Sequence, residues 1–379
     1  MKKQYVWTNA VLIALATICC IGCSDAESHQ DIDNTNLLRV TILDSGDYYH
    51  SDAGIDNGIR MALEKISAET DVDIEINIVE DGGDYAKGIS LAQELAADEE
   101  VDVVLSFQNF ESIGAEMPFF EEAEKPFLVT MGCYDEVTEQ GYQYFLADFL
   151  SGKAIGERIG EYLIEQNVSD IALCHSDTVF EKDEISGLQR VLKDNQDIRV
   201  RDSMTGPFHE EDLADMISRS EKLGIDAVVA NFYNQEDSAW LIGELRTICP
   251  QLVVVGDYAL DSTEILQEYG EKLEGAVIVP VYPYNPGEKL DVFVREYEEY
   301  SGHSFSTATL QYYELFTMLA DCFAKTKDSK AGLMQALKSE EGYEGVTGTL
   351  RFDENGCLQA EECPMFVCRN GEFVALEGR

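Results

Sequence analysis

The sequence predicts an α/β protein built on two parallel, doubly wound sheets, and three observations carry that prediction. From Leu37 onward the spacing of apolar residues switches repeatedly between 2, the period of a strand, and 3.6, that of a helix. Several strand-like runs are apolar at every position, as strands covered by helices on both faces are. The series pauses once, near Tyr142 and Asp148, and then begins again, dividing the βα units into two sets of similar size.

The elements follow in order. Residues 38–43 read as a strand, and Ile55, Ile59, Ala62, Leu63 and Ile66 fall at helical spacing behind it. Val72, Ile74, Ile76 and Ile78 alternate strictly, at the period of a strand. A helix with Ile89, Ala92 and Leu95, a strand over 101–105, a helix with Ile113, Met117 and Phe120 and a strand over 126–131 complete the first set. The second set has strands over 171–174, 198–200, 227–232, 252–255 and 276–281, with amphipathic helices between them. After Pro286 the pattern turns helical, and two late strand-like segments, 349–352 and 365–374, close the chain. The units follow no fixed period, which excludes a solenoid.

The N-terminus reads as an export signal. Lys2 and Lys3 precede an apolar run over 11–21 that is too short to span about 30 Å of hydrocarbon at 1.5 Å per residue. A basic start, a short apolar core and small residues before a cut site describe a secretory leader. The stretch Cys20-Ile21-Gly22-Cys23 resembles the end of a bacterial lipoprotein signal, with Cys20 in the position where leucine is usual. Cys20 itself is the rival acceptor, but Gly22 suits the position before the cut better than Cys19 does. Cys23 is therefore expected to be the first mature residue and to carry the acyl chains, with 1–22 removed. No other segment reaches transmembrane length, and the polar, acidic, aperiodic stretch 23–36 reads as a tether.

The formal net charge of −46 excludes nucleic acid as a partner, because phosphate binding needs a basic surface. Ten cysteines include three in the leader region, which leaves seven, at 133, 174, 249, 322, 357, 363 and 368. An odd number cannot all pair within one chain. Cys174 and Cys368 sit in apolar strand-like runs and read as buried small hydrophobes. Cys357 and Cys363 flank a turn-like stretch and are either bridged or reduced. Cys357, Cys363 and Cys368 lack the histidine and the close pairs of a structural zinc site, so no metal is expected. No cofactor is expected either. There is no nucleophile elbow, phosphate loop or paired-histidine metal motif, and the chain does not read as an enzyme. His175 alone among five histidines falls at a strand end, where a structural hydrogen bond is the simpler role.

Four segments in this order resemble the leucine/isoleucine/valine-binding family of type I periplasmic binding proteins. They are Asn57-Gly58-Ile59-Arg60-Met61-Ala62, Ile78-Val79-Glu80-Asp81, the run from Thr138 through Tyr142 to Phe145, and the run from Gly345 through Thr349 and Phe352 to Gly356. The resemblance covers the chain from Leu37 to its end. It implies two Rossmann-like lobes joined by three crossovers and closing on a small ligand. One lobe would hold 37–149 and 279–363, the other 150–278 and 364–379.

Carried over by position, the resemblance also implies a set of cleft residues. The loop that holds a ligand carboxylate in relatives becomes Phe107-Gln108-Asn109-Phe110-Glu111, where Glu111 is a poor neighbour for an anion. Cys133 and Tyr134 form a second loop. Phe180, Phe232 and Tyr233 match aromatics that cover the ligand. Asp257, followed by Tyr258, lies where the family places an acid on the ligand ammonium, and it is equally suited to cap the next helix. Each aromatic could instead pack in a core. Aromatics with acids suit stacking plus ammonium recognition. The expected function is a lipid-anchored, extracytoplasmic, monomeric solute-binding protein that delivers an amino acid or related amine to ABC permease subunits. The alternative is a sensory module that uses the same cleft to signal to a membrane receptor.

Overall fold

In the computed structural model, strand and helix alternate from Leu37 as the apolar periods require. The structure describes residues 36–46, 53–107, 110–130, 134–195, 197–232, 234–280, 282–284, 286–326, 330–359 and 363–376. The segment expected to be a leader, Cys23 and all but the last residue of the expected tether lie outside the described residues.

The first sheet takes β1 (Leu37–Asp44), β2 (Asp73–Glu80), β3 (Val103–Phe107), β4 (Phe127–Val129) and β5 (Phe145–Ala147). Its order is β2-β1-β3-β4-β5, all parallel, with Leu38 opposite Ile74 and Ile42 opposite Leu105. Helices α1 (Ala53–Glu69), α2 (Tyr85–Ala97), α3 (Phe110–Glu122) and the short α4 (Asp135–Thr138) connect these strands. Strand β5 falls where the periodicity pauses: three residues, all buried, leave too short a run to show alternation. The alternating β2 is the edge strand, and Ile78 near its end is exposed.

The second set supplies α5 (Gly152–Glu165), β6 (Asp170–His175), α6 (Val179–Lys193), β7 (Arg199–Thr205), α7 (Glu210–Leu223), β8 (Ala227–Asn231), α8 (Gln235–Ile248), β9 (Val253–Gly256), α9 (Thr263–Tyr269) and β10 (Val277–Ile278). The chain then forms α10 (Glu288–Ser301), α11 (Thr307–Thr326) and α12 (Lys330–Leu337). A small antiparallel sheet follows, of β11 (Tyr343–Glu344), β12 (Thr349–Phe352) and β13 (Leu358–Gln359), before β14 (Phe366–Arg369) and β15 (Glu372–Ala375). The second sheet has the order β15-β14-β10-β9-β8-β6-β7. Strands β6 to β10 run parallel within it, and β14 and β15 add an antiparallel edge.

The chain passes between the two sheets three times: after β5, after β10 and after β13. Between the second and third passages α11 packs on α1, which returns the chain to the layer over the first sheet. Gly58 permits that contact, because a β-carbon there would come within 2.5 Å of the Thr309 carbonyl. Glu314 of α11, with no exposed surface, gathers hydrogen bonds from the Tyr282 hydroxyl (3.0 Å), the Thr347 hydroxyl (3.2 Å) and the Val346 and Thr347 amides. Tyr282 follows β10, and Val346 and Thr347 link β11 to β12, so one buried carboxylate joins a passage to the small sheet. Gly345 is required beside it, since any β-carbon would strike the Glu314 carboxylate. Burial pushes the Glu314 pKa up and these donors pull it back.

Cys174 and Cys368 are buried in apolar surroundings, as their sequence context suggests. Cys363 is an unbridged thiol, so it forms no disulfide with Cys357. Among the described residues no helix is long and apolar enough to cross a membrane, and no group of three His, Cys, Asp or Glu side chains could hold a metal ion.

Candidate functional site

Open parallel sheets bind ligands beyond the carboxyl ends of their strands, where the first turns of the following helices converge. At that end of the first sheet the backbone is held by α11. The Gln311 side chain donates to the carbonyls of Thr130 and Asp148, and the Tyr312 hydroxyl donates to Thr130 Oγ1 at 3.1 Å. Phe107 ends β3 with its ring fully buried, edge-on to Tyr312 at 5.0 Å. It is a core residue of the first sheet and offers the site only its backbone, whose carbonyl accepts from the Ser45 amide. Tyr134 is also buried, in the cluster that contains Ile113 and Met117 of α3. Asn109 and Cys133 lie outside the described residues, as does Tyr233. Phe110 and Glu111 open α3, and their side chains lie outside the description too.

The second sheet presents a denser arrangement. Three aromatic rings meet edge-to-face: Phe149 with Phe180 at 5.9 Å, Phe149 with Tyr258 at 5.2 Å, and Phe180 with Tyr258 at 6.2 Å. Phe149 belongs to the first passage between sheets, whereas Phe180 opens α6 and Tyr258 follows β9. The trio therefore ties that passage to the first turn of α6 and to the turn after β9. Phe232, by contrast, turns into the core on the other side of the sheet, edge-on to Phe208 at 5.5 Å.

Asp257 sits directly after β9 and is 7% exposed. Its Oδ1 accepts from the Ala259 amide at 2.7 Å and caps the 3₁₀ turn over Tyr258–Asp261. The capping role is thus real, and it leaves the carboxylate beside Tyr258 at the strand ends. Burial pushes its pKa up to about 8, against the Ala259 hydrogen bond and with help from the negative charge of Glu181.

Glu181 and Glu184, on the buried face of α6, complete an acidic group that the sequence reading did not single out. Glu184 is held well above the ordinary carboxylate range by burial, then by Asp257 and Glu181, while a hydrogen bond from the Asn231 amide pulls the other way. Among the described residues neither Glu184 nor Asp257 pairs with a cationic side chain. A clue was present in the sequence. Glu184 repeats at four-residue spacing with Leu188 and Leu192, which puts a carboxylate in phase with the apolar stripe. The glycines of the helix pair explain how closely α6 packs on α5: Gly152, Gly156 and Gly160 face α6, and Gly187 faces α5. His175, at the end of β6, has its ring nitrogens on Ser176 O (2.8 Å) and Ser203 Oγ (3.1 Å), a structural role.

Residues 40–369 match the model of a family described as periplasmic binding protein. The fold is similar to that of an ABC transporter substrate-binding protein from Desulfitobacterium hafniense in complex with Leu. The TM-score is 0.76 at 17% identity, over 90% of this chain and 100% of that one. It is also similar to the branched-chain amino acid transporter substrate-binding protein of Streptococcus pneumoniae in complex with isoleucine, with a TM-score of 0.75 at 18% identity over 90% and 100%. A solute-binding protein of an ABC transporter from Rhodopseudomonas palustris, in complex with 3,4-dihydroxybenzoic acid, aligns with a TM-score of 0.76 at 18% identity over 90% and 96%. No curated protein sequence matches the chain. Two parallel sheets, three passages and a family match across nearly all of both make this chain a member of the periplasmic binding protein family, with the type I fold.

Proposed function

We propose that this chain is the extracytoplasmic solute receptor of an ABC importer, lipid-anchored through Cys23, and that it takes a small ligand bearing an ammonium group. The observation that carries the reading is Asp257: a buried carboxylate without a cationic partner, at the carboxyl end of a central strand and next in the chain to Tyr258, whose ring packs edge-to-face with the buried Phe149 and Phe180. Carboxylate and aromatic faces both favour an ammonium, the first by charge and the second by ring quadrupole. The relatives of similar fold include receptors for leucine, isoleucine and an aromatic acid, so the architecture accommodates different solutes around a common frame. Closure of the two sheet-based lobes about the three passages would exclude water from such a pair. Nothing in this arrangement supplies a nucleophile with its base, and binding without turnover is the reading it supports.

The test is calorimetric titration of the purified protein against amino acids, short amines and aromatic acids. Saturable binding of amine-bearing solutes, lost in Asp257→Asn, is the expected result. Binding of carboxylic acids that lack an amine, with equal affinity in wild type and variant, would overturn the ammonium assignment.

A further inference from the structure

Between α6 and the carboxyl ends of β6 and β8 lies a small cavity, about 10 Å³ and thus room for about one water-sized group. Its polar lining is His175, Glu181, Glu184 and Asn231, and its apolar lining includes Ile185 and Leu188. Asn231 is 5% exposed, and its Oδ1 has no hydrogen-bond partner although its Nδ2 donates to Glu184. A buried amide oxygen left this way costs free energy unless a donor reaches it.

We infer that this cavity is a second cation subsite, which takes a terminal ammonium of the solute, so that the preferred ligand is a short dication such as an α,ω-diamine. The inference rests on the proposed role of the strand ends as the solute site, and it goes further by setting the ligand's charge and shape. A primary ammonium is about the size of a water molecule, carries three N–H donors and accepts nothing. Two carboxylates and one amide oxygen are three acceptors around a space of that size. A divalent metal fits less well, since no three-ligand metal group exists among the described residues.

Sheet register places the two cation positions close together. Ala230 of β8 lies opposite Gly256 of β9, so Asn231 and Asp257 are the next residues on neighbouring strands, roughly 5 Å apart across the sheet. An ammonium on Asp257 and another in the cavity then belong to one short alkyl chain, whose methylenes would lie along Ile185 and the aromatic trio. The electrostatics agree: Asp257 and Glu181 raise the proton affinity of Glu184, Glu181 raises that of Asp257, and a dication relieves that repulsion where a single charge relieves only part of it.

The experiment compares matched probes on the full-length protein: 1,3-diaminopropane, 1,4-diaminobutane and 1,5-diaminopentane against propylamine and butylamine, and lysine against norleucine. At least one diamine should bind ten-fold or more tightly than the monoamine of equal chain length. Glu184→Gln and Asn231→Leu should each shrink that ratio toward one, with melting temperatures checked to show that both variants fold. Equal affinity for diamines and monoamines, or an undiminished ratio in both folded variants, overturns the second subsite. If norleucine and the monoamines bind as tightly as the diamines and lysine, the amine-binding site stands and only this inference fails. If no amine binds, both fail together.

Discussion

The backbone of Glu184 passes so close to Gly156 that a β-carbon on Gly156 would overlap the Glu184 carbonyl. The same contact is repeated in the other direction, where Gly187 faces the Lys153 carbonyl. Helices α5 and α6 thus touch backbone to backbone, which only glycine allows. Gly156→Ala must force them apart, and overpacking of this kind costs about 1–3 kcal/mol or more. We expect a lower melting temperature together with weaker solute binding, because α6 carries Phe180, Glu181 and Glu184. A variant that melts lower and binds solute with unchanged affinity would show that α6 can shift without moving the site.

Asp257→Asn should act on binding and on stability in opposite directions. With a folded pKa of about 8 the carboxyl gives up its proton when an ammonium binds; asparagine cannot, so the charge-assisted bond is lost and solute Kd is expected to rise ~30-fold or more, about 2 kcal/mol at ~1.4 kcal/mol per decade. Titration calorimetry reads this directly.

The stability effect follows from a folded pKa of about 8 set against an ordinary 3.8. The folded protein holds a proton on Asp257 that the unfolded chain releases at much lower pH. Stability from this group is therefore full below about pH 4 and is lost as pH rises to about 8. Asparagine keeps the acceptor for the Ala259 amide and removes the titration. Thermal unfolding without added solute should show the variant gaining on the wild type between pH 4 and pH 8, by an order of a few kcal/mol at the upper end. Parallel pH profiles for the two proteins would mean that Asp257 is ionised in the folded state.

Tyr258→Ala should weaken solute binding less than Asp257→Asn does. It removes one edge-to-face partner of Phe149 and Phe180, a contribution of about 0.5–1.5 kcal/mol per aromatic pair, but leaves the charge in place. Calorimetric titration of both variants ranks them. A larger loss in Tyr258→Ala would make stacking, and not the ion pair, the main source of affinity.

Cys23→Ser should release the protein from the membrane fraction. Anchoring in this reading rests on acyl chains, two or more of which are needed for stable attachment. Fractionation of cells that express the variant decides it: persistence in the membrane pellet would refute Cys23 as the anchor.

Much of the fold was legible because it is encoded locally. The alternation from Val72 to Ile78 announces a strand, and the repeat through Ile55, Ile59 and Ala62 announces the helix before it. Strand β5 was illegible, since three buried residues carry no period. The glycines at 58, 156 and 345 could be seen, but the backbone or carboxylate each one admits lies far away in the chain.

The site divides in the same way. By itself the sequence placed strand ends at Leu105, Cys174, Phe232 and Val255, within two residues of where the structure has them, and marked Asp257 as suited to a cap, because these are properties of short segments. Tertiary structure alone decided which side chains face one another there. It sent Phe107 and Phe232 into cores on the strength of their neighbours Tyr312 and Phe208, drew Phe149 from the first passage onto Phe180 and Tyr258, and set Glu181 and Glu184 against Asn231 and Asp257. A strand-end aromatic turns inward or outward according to what covers the sheet, and a carboxylate becomes a buried acid only when a helix is pressed close enough to shut out water. Both depend on contacts between residues tens of positions apart, about which local spacing carries no information.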